Sequence, residues 1–321
     1  MNSWTRQRLF LLIAILIISA YRITSGEWAI PLPEVIHYLS PYLPDSEAVS
    51  PKGIIIRSVR LPRVLCAVGT GGLLAVSGAV FQGLLANPLA EPYTLGVASG
   101  AAFGAAAGIM AGTFAVMPCA FAGAMAALAL TGLIAFRGGS ERVILAGVIS
   151  NALLSAGVTF LKAAAGDKLS AVVLWMMGSL AGAGPSDAVS VWLGAVGVSV
   201  CSYAFGSVLD AMSLGRDYAA ALGVNESRVR ISLAAVTSLC VSVCVSSFGV
   251  IGFVGLVVPH VARSLVGAVH RRVVVHSFLI GGLVLSAADC AAQMMGELPV
   301  GVITALIGGP FFCRVLMKRQ P

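Results

Sequence analysis

Of 321 residues, 58% are hydrophobic and only 10% are charged, so too little polar surface exists to cover a water-soluble core. The formal charge of +7 would suit a nucleic-acid partner in a soluble chain, but here the basic residues flank apolar runs and read as topology signals. These runs recur at the length of about 20 residues that a hydrocarbon core of about 30 Å demands. The chain therefore reads as an all-α integral membrane protein, solvated by membrane lipid and with no nucleic acid among its partners.

Hydropathy predicts ten spans, at 9–23, 64–85, 95–112, 114–136, 143–165, 189–208, 231–253, 255–269, 273–295 and 300–317. The first follows Arg6 and Arg8 as a signal peptide would, yet Tyr21, Arg22 and Glu27 stand where a small-residue cleavage site belongs, so it reads as a retained span. An even count puts both termini on one side. The face holding Arg6, Arg8, Arg137, Arg142, the arginines from Arg216 to Arg230, Arg271, Arg272, Lys318 and Arg319 is the more basic, which predicts cytoplasmic termini.

Lys52, Arg57, Arg60 and Arg63 break that bias on the outer face. They either anchor a helix end at the headgroups or dock an acidic partner. In the third span Gly96, Gly100, Gly104 and Gly108 form a small-residue row that lets helix backbones approach. Gly78 precedes Pro88 by ten residues, and Gly249 precedes Pro259 by the same interval with opposite direction across the membrane. That echo predicts inverted-repeat halves whose interrupted helices meet near a transport route.

The apolar stretch Ala171 to Leu180 is too short to span and reads as an interfacial or re-entrant helix, where Trp175, Met176 and Met177 form either an outer gate or an interfacial anchor. Leu209 to Arg230, between the sixth and seventh spans, predicts a short amphipathic helix bracketed by Gly215 and Gly223, with a cap for the next span at Asn225 to Ser227. A helix lying across the inner face suits insertion into another protein's groove; an ordinary interfacial loop is the alternative.

Gln82, Asn87, His260, Arg263 and Asp289 are polar groups inside spans, costly unless they face protein or water. A hydrogen bond or pair between Asp289 and Arg263 is expected to brace helix packing, with proton transfer through Asp289 as the alternative. His260 is expected to satisfy backbone groups freed by Pro259 rather than to hold a metal. The seven cysteines, without a CxxC pair, read as free thiols.

Arg60-Leu61-Pro62-Arg63, Ser77-Gly78 with Gln82-Gly83, Asn87-Pro88-Leu89-Ala90-Glu91-Pro92 with Leu95-Gly96, Ser213-Leu214-Gly215 with Leu222-Gly223-Val224, the run from Gly252 to Arg263, and Glu297-Leu298-Pro299-Val300-Gly301 occur in that order. In these motifs nearly the whole chain resembles the FecCD-type permease subunits of ABC importers for iron-siderophores, haem and vitamin B12. The resemblance implies a single 1–321 permease domain in the cell (inner) membrane, forming a homodimer of ten-span subunits. Two cytoplasmic ABC ATPase subunits would power it, and an extracytoplasmic substrate-binding protein would deliver an iron chelate, with haem and cobalamin open. No cofactor is implied, and the absence of a GxxxxGK[ST] phosphate loop agrees with hydrolysis in a partner.

Carried over residue by residue, the resemblance implies an ATPase coupling helix at Leu214, Gly215, Arg216, Asp217, Ala220, Leu222 and Gly223. It implies binding-protein docking at Arg57 and Arg60, and membrane motifs at Gln82, Asn87, Pro88, Gly96, Pro259, His260, Arg263 and Pro299. Two departures stand out: Arg216-Asp217, where relatives often carry two acidic residues, and Gln293, where relatives commonly carry arginine. The competing reading is a proton-coupled secondary transporter; an intramembrane hydrolase lacks paired carboxylates, HExxH and a serine-lysine arrangement.

Overall fold

Apolar runs in lipid must satisfy every backbone group within themselves, which leaves helices as the solution here. The computed structural model describes residues 3–26, 28–40, 44–112, 115–135 and 139–317; Glu27, Arg137, Lys318 and Arg319 lie outside the described residues, and of Arg216 only the backbone is described. The ten expected spans coincide with helices α1 Ser3–Thr24, α2 Leu61–Leu84, α3 Val97–Met110, α4 Val116–Ala135, α5 Ser140–Ala164, α6 Pro185–Ala204, α7 Glu226–Phe248, α8 Val254–Val266, α9 His270–Met294 and α10 Val300–Met317. Among the described residues, seven helices are long and apolar enough to cross a membrane, while α3, α8 and α10 are shorter. Shorter helices lie outside this set: Leu32–Leu39 precedes α2, Leu169–Met176 realises the expected segment before α6, and Gly206–Ser213 and Arg216–Ala221 follow α6.

Helix α2 is buried along nearly its whole length and packs against α9, α6 and α8. Backbone contact fixes it there. A Cβ on Gly71 would stand 2.2 Å from the Gly281 carbonyl oxygen, and one on Gly281 equally close to that of Gly71, so glycine at both positions sets the approach of α2 and α9. The glycine row of α3 works similarly, Gly100 meeting Gly123 and Gly104 meeting Cys119 across α4. Before α2, Pro51–Ile54 continues into a π-helical turn, Ile55–Arg60. Pro62 has no N–H to return to the preceding turn, and the widened turn instead lets the Leu61 N–H reach the Ile56 carbonyl.

The shortness of α3 and α8 has a common cause. Each begins only after irregular backbone, residues 85–96 and 249–253, and each starts from a left-handed residue, Gly96 (φ 87°) and Phe253 (φ 68°). The two irregular stretches meet: the Tyr93 hydroxyl donates to the Ile251 carbonyl at 3.0 Å, and Pro92 packs on Gly255. Pro259 leaves the Gly255 carbonyl without its helical donor, and Gly78 of α2 lies directly against that oxygen. Interrupted helices that face one another within a bundle are buried backbone, the one setting in which such backbone is tolerated at membrane depth.

Candidate functional site

The described structure has three polar regions, at its two ends and at the interruptions between them. At the end expected to face the cytoplasm, α6 stops at Ala204 and Gly206–Ser213 folds under the bundle, burying Leu209, Ala211 and Met212. The Asp210 carboxylate accepts from the His270 backbone N–H at 2.9 Å and from its Nδ1 at 2.6 Å. It thereby satisfies an orphan donor at the start of α9 and places negative charge at that helix's N-terminus. Arg271 adds a bond from Nε to the Tyr203 carbonyl at 3.3 Å and lies over the Tyr203 ring.

Past this anchor the chain turns outward at Gly215 into Arg216–Ala221. Leu214, Tyr218 and Leu222 stand 69%, 51% and 60% exposed, while Ala219 is fully buried beneath them. Spacing by four puts Tyr218 and Leu222 on one face of the helix, and Leu214 stands exposed just before the break at Gly215. Asp217, Ala220 and Gly223 are exposed beside them. The predicted cap of the next span is present, since Asn225 Oδ1 accepts from the Arg228 N–H at 3.1 Å. Of the expected coupling residues, Leu214, Asp217, Ala220, Leu222 and Gly223 are thus exposed along one short segment.

At the interruptions, Gln82 joins α2 to α8. Its Nε2 donates to the Leu256 carbonyl at 3.2 Å, and its Oε1 accepts from Arg263. Asn87 Oδ1 accepts from the Leu89 N–H at 2.9 Å, forming the turn that carries Pro88. Pro299 opens α10, its carbonyl accepting from Val302 N–H at 3.1 Å. His260 is half-buried on α8. Among the described residues no three His, Cys, Asp or Glu side chains gather as a metal site, and all seven cysteines are unpaired.

The opposite end, expected to face outward, holds a buried ion network. Asp289 on α9 accepts from Arg22 Nη2 of α1 at 2.8 Å and from Arg63 Nη2 of α2 at 2.9 Å; Arg63 also donates to Glu297 at 2.8 and 3.1 Å. The expected partnership of Asp289 with Arg263 is therefore not formed: each has another partner, because α8 turns Arg263 toward Gln82 while Asp289 sits among the outer arginines. Beside the network opens a cavity of about 830 Å³, lined by Arg22, Trp28, Arg60, Arg63, Gln293 and Glu297 among others. Arg60 donates to the Ile23 and Trp28 carbonyls at 2.7 and 2.5 Å. Arg57, outside the cavity lining, spends Nε and Nη2 on the Tyr38 and Ser40 carbonyls at 2.7 and 2.8 Å. The two arginines expected to act together thus differ in position.

Sequence reasoning missed Arg22, Glu297 and the Asp210–His270 pair. A signal existed for Arg22 and Asp289, since charges within or at the end of an apolar run must find partners, but nothing in the sequence chooses among the arginines.

At Glu297, burial would raise the carboxyl, but the Arg63 hydrogen bonds and charge outweigh it and hold the group below the usual carboxylate range. A carboxylate with a lowered folded value contributes stability in full above its unfolded value and loses it as pH falls through the folded one. Acidification across that window is expected to lower the thermal midpoint of the wild type by more than that of Glu297→Gln. Parallel curves for the two proteins would remove the assignment.

Apolar helices of spanning length, interrupted half-length helices that meet inside the bundle, and an exposed apolar ridge at one end define a multi-pass membrane transporter. The chain belongs to the FecCD transport family, whose model matches residues 11–318. It is 39% identical over 274 residues to the cobalamin import system permease protein BtuC of Halobacterium salinarum, covering 83% of this chain and 74% of that one. It is 35% identical over 277 residues to the hemin transport system permease protein HmuU of Yersinia pestis, covering 82% of this chain and 83% of that one. A solved structure described as a metal-chelate type ABC transporter in an inward-facing conformation superimposes with a TM-score of 0.86 at 30% identity, over 98% of this chain and 99% of that one. The family is one of ABC importer permease subunits, which transport rather than catalyse; ATP hydrolysis belongs to a separate subunit.

Proposed function

We propose that this chain, as a homodimer with cytoplasmic termini in the cell (inner) membrane, translocates an iron chelate inward, driven by two cytoplasmic ABC ATPase subunits and supplied by an extracytoplasmic binding protein. The observation that carries the ATPase half is the ridge of Leu214, Tyr218 and Leu222. Exposed apolar side chains on a short helix at the polar end of a membrane bundle have no lipid to cover them, and a groove in a soluble partner would. Its stem is pinned to α9 through Asp210 and His270, so force applied to the ridge acts on a helix that crosses the membrane. At the other end the basic cavity around Arg60 suits the acidic side chains of a delivery protein, steering more than binding.

A proton-coupled route through Asp289 is disfavoured. That carboxylate is buried, and its oxygens accept from the Arg22 and Arg63 guanidinium groups, so it is occupied in joining α1, α2 and α9 and does not face a water-filled route. The choice of an iron chelate follows the family and the metal-chelate type structure it superimposes on.

The test is mass spectrometry of proteins that co-purify with the chain from mild detergent, compared with a variant whose residues 214–223 are scrambled. An ABC ATPase recovered with the wild type and absent from the variant is the expected result. An intact wild-type chain that brings down no ATPase would overturn the proposal.

A further inference from the structure

On α5 the exposed face is largely apolar, with Leu145, Val148, Ile149, Leu153 and Phe160, as lipid or a second copy requires. One edge of that face is not. Asn151, Ser155, Thr159 and Lys162 recur at intervals of four, four and three, which places them in a single stripe along the helix. The stripe is met by Ser99 from the first turn of α3, whose hydroxyl donates to Asn151 Oδ1 at 2.8 Å and lies 3.5 Å from Ser155 Oγ. Thr159 bonds back to the Ser155 carbonyl at 2.9 Å.

Between α3 and α5, Ser99, Ser155, Thr159 and Lys162 line one side of a cleft of about 300 Å³ whose other walls are apolar, Met176 from the short helix Leu169–Met176 among them; Asn151 stands beside it, holding the Ser99 hydroxyl. Ser155 and Thr159 are exposed in it and Lys162 is half-buried. Hydroxyl groups facing hydrocarbon lose their water partners at a cost, and an ammonium loses more. A polar strip of this kind therefore belongs against water.

The charge of the strip has one sign. Helix α3 carries no charged residue, the only acid on α5 is Glu141 at its opposite end, and Leu169–Met176 carries none. In the turn that follows α5, Asp167 is adjacent to Lys168, whose Nζ donates to the Met110 carbonyl at 2.9 Å. Lys162 is left as the charge of the cleft.

We infer that Ser99, Ser155, Thr159 and Lys162, with Asn151 orienting Ser99, form a water-facing wall of the substrate route, selective for chelates that present anionic or oxygen-rich surfaces. The wall offers hydroxyl groups to a passing ligand without a tight site, and the ammonium of Lys162 raises the local concentration of anions. This rests on the importer reading above and adds to it a lining and a charge preference.

The test places single cysteines, Ser155→Cys, Thr159→Cys and the control Leu153→Cys, in a chain whose native cysteines are alanine, co-expressed with its ATPase. The probes are a negatively and a positively charged methanethiosulfonate of similar size. Because only the thiolate reacts and it forms only where water reaches, the first two variants are expected to react about tenfold or more faster than the control. The anionic probe is expected to be preferred at both positions, and adding Lys162→Glu should reverse that preference. Rates at 155 and 159 no greater than at 153, in a protein that still carries its ATPase, would overturn the wall and leave the importer reading standing. Fast labelling indifferent to probe charge would overturn the proposed selectivity. A wild-type chain without an ATPase would remove the importer reading, and this inference with it.

Discussion

Asp289→Ala is expected to lose about 3–5 kcal/mol of stability, the cost of removing one partner from a buried charge cluster and leaving the others uncompensated. Arg22 is 6% exposed and Arg63 8%, and the alanine would leave the Arg22 guanidinium without its carboxylate and Arg63 with Glu297 alone. The measurement is thermal unfolding in detergent together with the yield of folded protein. Asp289→Asn keeps an acceptor and should fall between wild type and alanine. Replacing the set together, as Arg22→Met, Arg63→Met and Asp289→Leu, should recover most of the loss, because isosteric apolar groups no longer need compensation; Glu297 would then stand alone but half-exposed to water. A midpoint for Asp289→Ala equal to that of the wild type would show that the network does not hold the outer ends of α1, α2 and α9 together.

The positions of the spans were legible because a bilayer tolerates few alternatives to a long apolar helix. Their starts were displaced for one repeated reason. Hydropathy began α5 at 143, α6 at 189, α7 at 231 and α9 at 273, whereas the helices begin at Ser140, Pro185, Glu226 and His270. In each case the missing turn is polar: Ser140-Glu141-Arg142, Pro185-Ser186-Asp187, Glu226-Ser227-Arg228 and His270-Arg271-Arg272. First-turn residues are chosen for capping, dipole and interface contacts, and a hydropathy window discards them. Asp187 shows why, since its carboxylate accepts from the Gly184 N–H at 3.0 Å before α6.

Tertiary choices left weaker traces. Gln82 and Arg263 were both singled out, yet their mutual bond depends on how α8 turns after residues 249–253, which composition does not encode. The helix Leu32–Leu39 went unrecognised in a stretch rich in proline and polar residues. It matters to the ion-network end of the bundle, because Arg57 is engaged by the carbonyls of the helix's last turn and C-cap, Tyr38 and Ser40. Conversely, the inner segment was readable in detail: Gly215 and Gly223 mark its ends, and the alternation of Ala219 with large exposed neighbours is a surface helix resting on one small residue.

The proposed coupling segment would gain its leverage from α9. Over 25 residues, at about 1.5 Å per residue, α9 carries His270, bonded to Asp210 below that segment, and Asp289 in the ion network at the other end. Gly223→Val is expected to cut ATP-driven uptake in vesicles about 5–30-fold, the population change for 1–2 kcal/mol, while thermal stability of the bundle stays at the wild-type level. Gly223 sits at φ 75°, a region that costs a residue with a side chain roughly 1–2 kcal/mol and more when the side chain is β-branched. It closes Arg216–Ala221 through paired bonds, its own N–H to the Ala220 carbonyl at 2.9 Å and that of Val224 to Ala219 at 3.0 Å. A six-residue helix has no internal reserve against losing that closure, and Tyr218 and Leu222 would lose their common face with it. A Cβ at this position meets nothing within 4 Å, so backbone strain rather than crowding is being tested. Gly223→Asn, which tolerates the left-handed region, should therefore keep most of the uptake. Equal uptake by the valine and asparagine variants would separate Gly223 from coupling.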